Sequence, residues 1–157
     1  MSKKPVVSQL LEAVKTSTHD RHKLVIVLGN FGAGKTLLLE SASESLEGVY
    51  LNLNYMLTER LRLLPRSRYG DGVTVHSEID KICDELSQHG RPLFVDNVEI
   101  LFSPELGKVN PVDTFKRISR ERPVVLALPA RRDGSHAEYS TIGRPDYLRM
   151  EISDYII

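Results

Sequence analysis

Lys23-Leu24-Val25-Ile26-Val27-Leu28-Gly29-Asn30-Phe31-Gly32-Ala33-Gly34-Lys35-Thr36-Leu37-Leu38-Leu39 is the stretch around which the rest of the chain is arranged. An apolar run gives way to a glycine-rich turn, and Lys-Thr then opens a segment of helical character. From Gly29 to Thr36 the turn follows the spacing G-x-x-x-x-G-K-[ST], a loop suited to holding phosphate. Gly29, Gly32 and Gly34 permit positive φ, so consecutive N–H groups can turn inward around an anion. The helix that follows adds its dipole and its unpaired N–H groups. Lys35 is expected to reach the β- and γ-phosphates of a nucleotide, and the Thr36 hydroxyl to ligate Mg²⁺. The expected nucleotide-binding set is therefore Gly29, Asn30, Phe31, Gly32, Ala33, Gly34, Lys35, Thr36 and Leu37, with ATP or ADP and Mg²⁺ as ligands. A dinucleotide-binding turn fits less well, because the glycines do not follow G-x-G-x-x-G. The next strand also ends in Asn52 and Asn54, with no acidic residue for a ribose.

Bulk composition narrows the setting. The 157 residues suffice for one domain, expected to span 1–157, with a proper core. Lys and Arg number 21 against 21 Asp and Glu, so no global charge draws the chain to nucleic acid or an anionic membrane. A lone cysteine, Cys83, fits a reducing compartment, and its place on an apolar helix face makes it a core residue. The apolar runs are short of a membrane span, and Met1 to Pro5 precede no signal-peptide core. The expectation is a soluble, cytoplasmic protein. His19, His22, His76, His89 and His136 show no metal-ligand spacing.

Taken in order, Pro5 to Ser17 has helical periodicity, and the glycine loop feeds a helix reaching about Leu46, with Gly48 placed to end it. Val49 to Leu53 reads as a second strand, and Asn54 as the cap of a helix running to Leu64. Ser77 and Asp80 have capping-box spacing for the next helix, closed by Gly90. Pro92 to Asp96 is a third strand. Asn110-Pro111 opens a helix ending near Arg120, and Val124 to Leu128 is a fourth strand. Pro129 to Asp146 reads as a long polar loop and Tyr147 to Ile152 as a fifth strand. Alternating strands and helices predict an α/β fold with a mainly parallel sheet covered on both faces.

Four apolar residues ending in Asp96 form the second half of a nucleotide site, a Walker B pattern whose carboxylate would hold Mg²⁺. A complete strand–helix unit, Val49 to Leu64, separates it from the glycine loop. In that insertion the chain resembles the additional-strand, catalytic-glutamate division of P-loop ATPases. The resemblance implies a three-layer sandwich with a five-stranded sheet ordered 5-1-4-3-2. It also implies a glutamate directly after Asp96, where this chain has Asn97. Asn97 cannot accept a proton and could only orient water, so turnover is expected to be slow, and Asn97→Glu to accelerate it provided the site is otherwise assembled. Glu99 is the other candidate base, against a structural or partner-facing role. A polar sensor at the end of the fourth strand is replaced by Ala127-Leu128-Pro129-Ala130. Gly143-Arg144-Pro145-Asp146 resembles the Gly-Arg-Phe-Asp segment of AAA+ ATPases, which implies that Arg144 reaches the γ-phosphate of a neighbouring subunit. The alternative is a turn residue held by Asp146. The small helical lid of AAA+ proteins is expected to be absent.

Gly29 to Thr36, Val49 to Asn54, Val95-Asp96-Asn97-Val98-Glu99-Ile100-Leu101-Phe102 and Gly143 to Tyr147 together resemble the BrxF family, small P-loop proteins of type 3 BREX bacteriophage-exclusion systems. The resemblance implies an ATP-binding, cytoplasmic component of an anti-phage complex, with other BREX defence proteins as partners and homo-oligomers possible. Arg60, Arg62, Arg66 and Arg68 form a local basic patch, read as a solvated face, so DNA contact is expected to be indirect. A small-molecule phosphotransferase is the alternative function, with Arg131, Arg132 and Arg144 as a lid over the phosphates.

Overall fold

The computed structural model describes residues 3–29, 34–152 and 157. Helix α1 (Lys3–Ser17) leads into strand β1 (Leu24–Leu28), and helix α2 (Lys35–Ser45) into β2 (Val49–Asn52). Helices α3 (Leu53–Leu61) and α4 (Gly72–Leu86) precede β3 (Leu93–Asp96), and α5 (Pro111–Ile118) precedes β4 (Val124–Leu128). Three short strands follow, β5 (Arg131–Asp133), β6 (His136–Tyr139) and β7 (Leu148–Glu151).

The fold is α/β. Four strands form a parallel sheet in the order β1-β4-β3-β2, and β5-β6-β7 form a separate antiparallel sheet. Parallel strands covered on both faces are apolar at every position, and β1 and β4 read that way. Their side chains nonetheless divide by period two. Leu24, Ile26, Leu93, Val95, Val124, Leu126 and Leu128 pack with residues of α3, α4 and α5. Val25, Val27, Phe94, Val125 and Ala127 pack on the other face with Leu10 and Val14 of α1 and Leu39 and Ala42 of α2.

The strand expected at Tyr147 to Ile152 forms, as β7, but not in the parallel sheet. It pairs antiparallel with β6, with Ala137 opposite Met150. Its pattern explains why: Met150 is buried between exposed Arg149 and Glu151, the alternation of a strand with one wet face. The expected polar loop 129–146 is likewise corrected, since β5 and β6 form a hairpin across the two-residue turn Gly134-Ser135. Phe102 and Tyr139 stack with ring centroids 3.8 Å apart, which fastens the small sheet to the turn after β3. Beside β1 stands Ile157. Its N–H donates to Ile26 O at 3.1 Å and its carbonyl accepts from Leu28 N–H at 3.2 Å, the bonds of a residue paired in parallel with Val27.

Three helix boundaries move for identifiable reasons. The cap of α3 is Asn52, which accepts from Tyr55 N–H, so Asn54 is freed for another task. Helix α4 begins at Gly72, capped by Asp71 through Val73 N–H, ahead of the Ser77 capping box. At the end of α2 it is Glu47, φ +52°, that takes the left-handed position, while Gly48 N–H bonds back to Ser43 O at 2.8 Å. Gly48 is needed for space, because a Cβ there would lie 2.6 Å from Pro92 O and 2.7 Å from the Phe94 ring. Asn110 caps α5 as the sequence suggests, accepting from the N–H groups of Val112 and Asp113.

Candidate functional site

The carboxyl ends of β3 and β4 and the start of α2 meet at one cleft of about 430 Å³. It is lined by Gly34, Lys35, Thr36, Leu37, Glu40, Asp96, Asn97, Glu99 and Pro129. Of the expected phosphate-binding residues, Asn30, Phe31, Gly32 and Ala33 lie outside the described residues. The ends of the loop are described. Gly34 sits at φ +79° with no heavy atom within 4 Å of a would-be Cβ, so the position asks for glycine by backbone conformation alone. At the other end the Gly29 carbonyl accepts a 2.7 Å bond from Lys35 Nζ. Burial depresses the Lys35 ammonium below its ordinary pKa, and the Asp96 and Glu99 carboxylates pull the other way.

Asp96 is buried at the end of β3 and is the hub of the cleft. Its Oδ2 accepts from Thr36 Oγ1 at 2.5 Å, a bond that joins the two expected metal-holding residues across 60 positions. The same oxygen accepts from the Tyr50 hydroxyl at 2.8 Å, and Oδ1 accepts from Asn97 N–H at 2.9 Å. Tyr50 was not predictable as a site residue; in sequence it is an ordinary aromatic strand position. Burial, followed by its bond to Asp96, holds the phenol well above its ordinary pKa.

After Asp96 the chain turns sharply. Asn97 is left-handed at φ +55°, a conformation asparagine tolerates better than most residues. A 3₁₀ turn over Glu99–Phe102 follows and brings Glu99 to the cleft wall, which the sequence left open. Asn54 pins this turn. Its N–H donates to Asn97 O at 2.8 Å, its Oδ1 accepts from Ile100 N–H at 2.9 Å, and its Nδ2 donates to Glu99 Oε2 at 2.9 Å. Glu99 thus faces the cleft as an oriented carboxylate, whereas Asn97 faces it as a backbone hinge.

Other expected residues fall elsewhere. Arg144 is exposed in the turn before β7 and does not line the cleft, and Asp146 accepts from Ser140 Oγ at 2.7 Å. Arg131 and Arg132 donate to the carbonyls of Ser140 and Gly134, so both are tied into the hairpin rather than laid over the cleft. In the basic patch Arg60 is paired with Glu85 and lies 3.9 Å from Glu78, and Arg62 pairs with Glu59 at 3.0 Å. Cys83 is buried, with its thiol pushed up to about 12, chiefly by burial.

Chemically, the cleft combines a lysine, a hydroxyl and three carboxylates, Glu40, Asp96 and Glu99, at a helix N-terminus and strand ends. No cluster of three or more His, Cys, Asp and Glu is placed to hold a metal ion among the described residues. A cation here would therefore share its shell with ligand oxygens and water, which suits Mg²⁺, and the paired Thr36 and Asp96 fit that role. No described helix is long and apolar enough to cross a membrane. Compared with known protein families and with curated proteins, the chain matches none.

Proposed function

We propose that the chain is a P-loop nucleotide-binding protein that holds ATP or ADP with Mg²⁺ in the cleft between α2 and β3. The observation that carries the reading is the Thr36–Asp96 bond. It brings together, from separate elements, the hydroxyl and the carboxylate that the nucleotide site of the glycine-loop pattern requires. Lys35 and the N–H groups at the start of α2 would bind phosphate, and Thr36 and Asp96 would hold the cation. The cation would supply charge neutralisation at the phosphates. Ile157, paired beside Val27, lies at the edge of β1 where the five-stranded order 5-1-4-3-2 has its fifth strand, whereas the stretch expected there, Tyr147 to Ile152, pairs with β6 instead.

Turnover is slow in this reading. Asn97 has no proton-accepting group, and Glu99, the carboxylate at hand, is held by Asn54. The protein then acts as a nucleotide-dependent binding module whose bound state sets its affinity for partners. On the resemblance of Val95 to Phe102 to the BrxF family, those partners are other defence proteins of a BREX system, in the cytoplasm. The phosphotransferase alternative loses support, because two of its three lid arginines, Arg131 and Arg132, are tied to carbonyls of the hairpin region and Arg144 does not line the cleft.

Calorimetric titration with Mg·ATP tests the binding reading. Lys35→Ala removes a charge-assisted contact and is expected to weaken binding by at least about 2 kcal/mol, roughly 30-fold. Unchanged affinity in that variant would refute the assignment. The biological reading is tested by phage challenge of cells carrying the defence cluster. Replacement of Lys35 or Asp96 should abolish resistance while the protein still accumulates.

A further inference from the structure

Tyr50 lies on β2, at the end of the four-stranded order β1-β4-β3-β2, and its ring packs in the layer that holds Phe94, Leu39 and Ala42. Its hydroxyl reaches a group 46 residues away, the Oδ2 of Asp96 at 2.8 Å. A carboxylate offers about four acceptor positions. Thr36 and Tyr50 fill two of them on Oδ2, and Asn97 N–H fills one on Oδ1.

We propose that Tyr50 is a positioning residue for the divalent cation of the bound nucleotide: its phenol locks the Asp96 carboxylate against Thr36, so that the pair is preorganised before the cation arrives. The inference rests on the nucleotide reading given above and adds to it a residue that no phosphate-loop pattern contains. Among the described residues three donors reach this buried carboxylate and leave it one of its roughly four acceptor positions. Through that position Asp96 would serve the cation's shell, in a direction set by Tyr50 and the Asn97 N–H. The phenol is suited to the task because its ring is anchored in the packed layer on that face of the sheet while its hydroxyl donates to the carboxylate. Partners of this outer kind typically account for 10- to 100-fold in metal affinity, roughly, when removed.

The test separates the cation-dependent part of binding from the rest. ADP affinity is measured by calorimetry in excess Mg²⁺ and in EDTA, for wild type and for Tyr50→Phe, which keeps the ring and deletes only the hydroxyl. Affinity in EDTA should stay within about twofold. The gain on adding Mg²⁺ should fall about tenfold. An unchanged gain overturns the proposal, and so does an equal loss in both conditions, which a purely structural role would produce. Asp96→Asn supplies the second arm. In that background Tyr50→Phe should have no further effect on the Mg²⁺ gain, and a full additional loss overturns the proposal, because the phenol would then act through another group. Absence of ADP binding by wild type in either condition defeats the nucleotide reading itself and takes this inference with it.

Discussion

Asn97 shows how one residue's backbone can decide what its side chain means. At φ +55° it makes the chain reverse at the end of β3, and that reversal carries Glu99 into the cleft. A β-carbon of ordinary type is strained in that region, by about 1 to 2 kcal/mol. Asn97→Ala is therefore expected to lower unfolding stability by about 1 kcal/mol, and Asn97→Gly to leave it nearly unchanged, as read by urea denaturation. The expectation that Asn97→Glu accelerates hydrolysis changes with this geometry. Glutamate at 97 would be strained, so loss of stability without a gain in turnover is the predicted result. Glu99, the carboxylate on the cleft wall, is the candidate base for any detectable hydrolysis. Glu99→Gln should then abolish the residual rate in a phosphate-release assay, while an unaltered rate would exclude it.

Among the elements, the β1–α2 unit and the Asp96 strand were legible in sequence, because each is a local pattern whose chemistry fixes its spacing. Boundaries were less so. Asn52 and Asn54 are equally good caps by type, and only the fold shows that Asn52 takes the cap while Asn54 pins the turn after β3. The β5–β6 hairpin had a signal, Asp133-Gly134, but β5 is only Arg131, Arg132 and Asp133, all exposed, and lacks the apolar alternation that marks a strand. Tyr50 carried no signal, since its role exists only once β2 and β3 are paired. The α2–β2 connection offers a direct test of packing. Gly48→Ala would drive a methyl into the Pro92 carbonyl and the Phe94 ring, contacts of 2.6 and 2.7 Å. A loss of about 1 to 3 kcal/mol in denaturant unfolding is expected. A neutral effect would mean that β2 and β3 do not approach as described.

For the whole molecule, the arrangement leaves one cleft wall to the carboxyl ends of the parallel strands and keeps Arg144 outside it on an exposed turn. On the resemblance of Gly143 to Asp146 to the AAA+ segment, an arginine so placed would meet the phosphate of another copy. Light scattering with a non-hydrolysable ATP analogue should thus reveal larger species that Arg144→Ala diminishes, and a constant size over a wide concentration range would contradict that role. The central claim is that Thr36 and Asp96 form a cation site for a bound nucleotide, and a crystal grown with Mn²⁺ and the same ATP analogue tests it most directly. The account predicts an anomalous peak at direct coordination distance, about 2.1 to 2.2 Å, from Thr36 Oγ1, with Asp96 joined to it through a water. Nucleotide bound elsewhere, or a cation that touches neither residue, would contradict it.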